Sequence, residues 1–66
     1  MNHHIAESKW RQMMGNAKQY WSNLTDEDVK RAELGEESLL GLLQSKFGRS
    51  RQEAEKQIDE FVKKYH

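Results

Sequence analysis

Apolar side chains in this chain recur at a helical beat, and that spacing narrows the possible folds before any other feature is considered. Ala6, Trp10, Met13, Ala17, Tyr20 and Leu24 follow one another at intervals of 4, 3, 4, 3 and 4. Such a series lines one face of an α-helix, and Met14 and Trp21 widen it to the stripe a globular core takes up. Ala54, Ile58, Phe61 and Tyr65 repeat the beat at 4, 3 and 4. Only four residues are Val or Ile, so strands are poorly supplied. A charged content of 33% leans toward disorder, but zero net charge, 9% aromatics and the periodicity outweigh it.

Local signals divide the chain into helices. Thr25 can cap through its hydroxyl, and Asp26, Glu27 and Asp28 then sit against the positive end of the helix dipole. Asp28 three residues after Thr25 makes a capping box with Asp in place of the usual Glu. Gly35 interrupts, which predicts a short helix followed by a bend or restart. The next helix buries Leu39, Leu43 and Phe47, with Leu40 widening the row, and Gly48 suits the left-handed residue that closes it. Ser50 to Glu53 is a second capping box by sequence. These signals predict an all-α fold without strands, a small bundle of three main helices and one short one. The helices fall at about 5–21, 26–33, 36–47 and 51–64, within a single domain over 1–66.

Composition excludes several function classes. There is no Cys, hence no disulfide framework, thiolate nucleophile or cysteine-ligated zinc. No apolar run exceeds two residues, so neither a membrane span nor a signal-peptide core is expected, and the compartment implied is the cytoplasm. Eleven Lys and Arg against eleven Asp and Glu give no basic footprint, which argues against nucleic acid as a partner. Much of the charge is arranged acid-first at i,i+4: Glu7 with Arg11, Asp26 with Lys30, Glu27 with Arg31, Asp59 with Lys63, and Glu60 with Lys64. Pairs of this kind are worth about 0.2–0.5 kcal/mol each and mark a solvated face rather than a charged active site.

Trp10-Arg11-Gln12, Gly15, Trp21 and Leu24-Thr25-Asp26-Glu27-Asp28 together resemble the CsbD-like family of small bacterial proteins. The second half agrees at Leu39, Gly41, Gln44, Phe47-Gly48, Glu53-Ala54-Glu55-Lys56 and Ile58, and the likeness runs without gaps from about Glu7 to Phe61. The resemblance implies a small, soluble, mostly helical protein associated with the bacterial general stress response. It carries no activity, cofactor or catalytic residue onto this chain. Ser8 and Ser22 stand where the family pattern has Gly, Leu34-Gly35 replaces Gly-Lys, and Leu42 replaces a polar residue. On one continuous helix Leu34, Ser38 and Leu42 would form a small extra apolar strip. A wider core contact is the plainer explanation of that strip, and a self-association or adaptor surface is the other.

Candidate chemistry is sparse. His3, His4 and His66 lie at the chain ends, where a positioned partner and a water-excluding site are lacking. Ser, Asp and Glu residues read as caps and solvated faces, so neither an enzyme nor a catalytic, cofactor or metal site is expected. Met1-Asn2-His3 could wrap Cu(II) or Ni(II) in a square plane through the amino terminus, two amides and the imidazole. Trp10, Tyr20 and Trp21 could stack bases, but a chain this small needs its largest side chains inside. Lys46, Arg49 and Arg51 cluster around Gly48 and could meet an anionic surface or nucleic acid, weakly and with salt sensitivity. Gly15 and Gly41 inside the expected helices each cost about 1 kcal/mol relative to Ala, which predicts close approach of another helix and a Gly41→Ala substitution that destabilises. Together these features describe a non-enzymatic, CsbD-like stress-response protein with a binding or protective role. A protein partner docked through Leu34 and Leu42 is one alternative, and a weak homodimer or a monomer is the expected state. Weak binding of an anionic surface through Lys46, Arg49 and Arg51 is the other alternative.

Overall fold

α-Helix takes up most of the chain. The computed structural model describes residues 3–66, and among these the elements are α1 (Glu7–Met14), α2 (Ala17–Tyr20), α3 (Asp26–Ala32), α4 (Glu36–Phe47) and α5 (Arg51–Tyr65), with no strand. The helix expected over 5–21 is not continuous; it divides at Gly15–Asn16. The Gly15 N–H donates to the Gln12 carbonyl at 3.2 Å and the Asn16 N–H to the Met13 carbonyl at 2.9 Å, so the ladder tightens to i→i−3. Both residues are weak helix formers, and a Cβ at position 15 would stand 3.2 Å from the Gln12 carbonyl oxygen. Their backbone angles nevertheless stay near helical, at φ −59° and ψ −19° for Gly15 and φ −101° and ψ −1° for Asn16. The apolar stripe therefore keeps its phase through the break. Trp10, Met13, Met14, Ala17 and Trp21 are buried, Tyr20 is half-buried, and Ala6 is exposed at the open end.

α3 begins with both halves of the capping box formed. The Asp28 N–H donates to Thr25 Oγ1 and the Thr25 N–H to Asp28 Oδ2, each at 3.1 Å. At the far end the Ala32 carbonyl accepts from the Gly35 N–H at 3.2 Å and from the buried Trp10 Nε1–H at 2.7 Å. One orphan carbonyl of a helix end is thereby satisfied, and α1 is tied to the turn that leads into α4. Gly35 carries φ 148°, a conformation that an L side chain strains to adopt, and it caps α4. Gly48, at φ 64°, closes α4 as a left-handed cap. At Ser50 only one arm of the second capping box forms, the Glu53 N–H donating to Ser50 Oγ at 3.1 Å.

The core lies between these elements. α4 contributes Leu39, Leu40 and Leu43, and α5 contributes Ala54, Ile58, Phe61 and Val62, packed with the α1–α2 stripe, Leu24 and Ala32. Phe47 and Tyr65 are half-buried at its margin. Aromatic rings join the end of α2 to α5: Phe61 lies 4.9 Å from Trp21, 5.3 Å from Tyr20 and 5.0 Å from Tyr65, centroid to centroid, and Tyr20 and Tyr65 are 6.3 Å apart. The Trp21 Nε1–H donates to Gln57 Oε1 at 3.2 Å, so each indole fills the core and keeps a partner for its polar atom. Among the described residues, none that is buried is polar or charged.

Candidate functional site

Among the described residues, Leu34 is the large apolar side chain left in water, at 81% exposure. It does not belong to α4. The chain turns through Glu33 and Leu34, with the Leu34 N–H donating to the Arg31 carbonyl at 3.1 Å, and Gly35 then redirects the backbone. Because the Trp10 indole and the Gly35 N–H both hold the Ala32 carbonyl, this turn is pinned from two sides. Leu34 still meets the flank of α4, where Arg31, Leu34, Ser38, Gly41, Leu42 and Ser45 line a shallow groove. The apolar strip thus exists, built from a turn and a helix rather than from one continuous helix. Leu42 belongs partly to both readings of the strip: it is half-buried against the core and also lines the groove.

Gly41 corrects the expectation of a close helix neighbour. It is exposed, and a Cβ built on it meets nothing within 4 Å. Its cost to helix stability is therefore not offset by packing inside the protomer.

The basic cluster around Gly48 is largely spent on carboxylates. Lys46 Nζ pairs with Asp28 Oδ2, and Arg51 reaches Glu37 and Glu55 at 3.5 Å each. The hydrogen bond from Lys46, with that from the Thr25 N–H second, lowers the Asp28 carboxyl to about 2. Lys18 does the same to Asp26 in direction, through its hydrogen bond at 2.5 Å. Two of the expected i,i+4 pairs form, Glu7 with Arg11 at 3.0 Å and Glu27 with Arg31 at 3.7 Å. Asp26 turns instead to Lys18 and Asp59 to His3, while Lys64 lies over the Tyr20 and Tyr65 rings at 6.0 and 5.6 Å. Burial, then the charge of Glu60, raises the Tyr20 phenol.

His3 is not left loose at the chain end. Its Nδ1 lies 2.9 Å from Glu36 Oε2 and its Nε2 3.2 Å from Asp59 Oδ1, so the ring bridges α4 and α5. Contacts across more than thirty residues leave no trace in local sequence, which is why this bridge was not legible there. Met1 and Asn2, the rest of the copper or nickel motif, lie outside the described residues. Trp10 and Trp21, at 3% and 9% exposure, face the core and leave no indole surface on which a base could stack. No described helix is long and apolar enough to cross a membrane.

Comparison with known proteins gives a consistent family and no activity. The chain is 39% identical over 61 residues to a UPF0337 protein of Bordetella pertussis, covering 92% of each chain. It is 38% identical over 61 residues to a UPF0337 protein of Pseudomonas aeruginosa, covering 92% of this chain and 94% of the relative. The UPF0337 protein YjbJ of Escherichia coli is 34% identical over 65 residues, covering 98% of this chain and 94% of its own. No family model matches the chain, and no solved structure matches it. None of these relatives' names states a substrate, partner or reaction.

Proposed function

The chain belongs to the UPF0337 family of bacterial proteins, and from that premise we propose that it is a non-enzymatic stress-response protein of the CsbD-like type, acting by binding. In this reading it works in the cytoplasm as a single helical domain and recognises protein through the groove of Leu34 and Leu42. The stress setting comes from the likeness to CsbD-like proteins. The observation that supports binding is the 81% exposure of Leu34 on a turn pinned by the Trp10 indole, beside a helix face whose glycine meets nothing. An exposed leucine alone is ordinary on a protein surface. A leucine held out by a fixed turn, beside Leu42 and an unfilled helix flank, is arranged for contact.

An amide proton–nitrogen spectrum of dilute labelled protein, alone and in concentrated lysate of stressed bacteria, tests this. Binding through the groove shifts or broadens the amides of Arg31, Leu34, Ser38, Gly41, Leu42 and Ser45, and Leu34→Glu abolishes the effect. Unmoved peaks, or changes centred on another surface, would contradict it.

A further inference from the structure

We propose that the occupant of the groove is a second copy of this chain, the two α4 helices crossing antiparallel at Gly41. This deepens the binding reading above and rests on it. A two-fold pair uses the same patch on both copies, so the patch must complement itself. α4 does so by charge at two exposed side chains, Glu37 in its first turn and Arg49 just beyond its cap, while Glu36 is held by His3 and Lys46 by Asp28. Antiparallel crossing sets the acidic end of each helix against the basic end of the other and opposes the two helix dipoles. Among the described residues Arg49 is the arginine whose side chain meets no carboxylate, since Arg11 pairs with Glu7, Arg31 with Glu27, and Arg51 with Glu37 and Glu55. Crossing at Gly41 sets Glu37 of each copy opposite Ser45 of the other, about 6 Å along the axis from Arg49, a gap that an arginine side chain spans, and the two-fold axis makes that pair twice. Eleven positive against eleven negative side chains leave no net charge to hold two copies apart.

Shape agrees with charge. A Cβ at Gly41 has open space around it, with Ser38 and Ser45 in the same groove, so a second helix backbone can come close at the centre. Leu34 and Leu42 then lose their water against the other copy. A single helix crossing buries less than the roughly 1,200 Å² of a stable complex, so the dimer is weak and exchanges with monomer.

Sedimentation equilibrium of the full chain, from ~10 μM to ~1 mM, reads the mass directly. The expected result is a monomer at the dilute end moving toward twice that mass, and no such rise for Leu34→Glu. Glu37→Arg and Arg49→Glu each weaken association about tenfold, because two exposed pairs become two repulsions. Mixing these two variants restores it, since in the mixed dimer each reversed charge meets its opposite on the other copy and both pairs are attractive again. All three positions are exposed, and far-UV circular dichroism checks that each variant keeps its helix. Wild type at monomer mass throughout, a dimer indifferent to Leu34→Glu, or a mixture that fails to recover would each overturn the proposal. A monomer whose groove amides still shift in lysate would leave the binding reading standing with another protein as occupant.

Discussion

The two faces of α4 share twelve residues and obey opposite demands. On the inner face Leu39, Leu40 and Leu43 are fully buried in the common core, with α5 and α3 packed against α4. On the outer flank Ser38, Gly41, Leu42 and Ser45 border a groove that nothing in the protomer fills. The inner face is what folding in a chain of 66 residues requires, because so small a domain has few other apolar contacts to rely on. The outer flank keeps a glycine that lowers helix stability and stands beside a leucine left in water, neither of which the packing of the protomer requires. In the proposed reading stability and recognition lie on different sides of α4, and substitutions on the two sides should differ in kind.

The largest effect belongs to the inner face. Leu43→Ala should cost about 2–5 kcal/mol, because the core cannot close around the lost methyl groups; the midpoint of chemical denaturation measures this. Trp10→Phe should cost about 1–3 kcal/mol, since it removes the indole donor from the Ala32 carbonyl and leaves a smaller ring in a buried site. It should also release the Leu34 turn, which faster amide hydrogen exchange at Leu34 and Gly35 would reveal. On the outer flank the sign and size change. Leu34→Ser should move stability by no more than about 0.5 kcal/mol, as at other exposed positions away from the core, while removing self-association in sedimentation. A Leu34→Ser protein that unfolds would show that the groove belongs to the core after all.

The smallest expected effect is in acid. Asp28 links α3 to α4 through Lys46, and its folded carboxyl sits at about 2, below the ~3.9 of an unfolded chain. A depressed carboxyl stabilises the fold above its unfolded value and loses that contribution as pH falls toward its folded one. Asp28→Asn should therefore flatten the decline in stability between about pH 4 and pH 2, read from denaturation midpoints across that range.

How much of this was legible in sequence follows from the range of each contact. Thr25 and Asp28 are three residues apart, and the left-handed turn at Gly48 needs only its own backbone, so both were readable. The Gly15–Asn16 break was not. Near-helical angles carry the apolar phase across it, and an unbroken pattern reads as an unbroken helix. Asp26 and Asp59 had suitable i,i+4 lysines and chose Lys18 and His3 instead, because tertiary placement outweighs a local pair worth a few tenths of a kcal/mol. Leu34 and Leu42 were readable as an apolar strip, but whether it faced core or solvent depended on the direction of a turn set by Trp10 and Gly35. Gly41 shows the same limit. Its cost was visible, while the open side it faces was not.

The direct test of an α4 flank left open in the monomer is the thermal unfolding of Gly41→Ala in dilute solution. With empty space over the glycine, alanine adds about 0.5–1 kcal/mol of helix stability, which raises Tm by roughly 2–8 °C in a domain of this size. A Tm below wild type would mean that part of the protomer already occupies that space, and the separation of the two faces would fail.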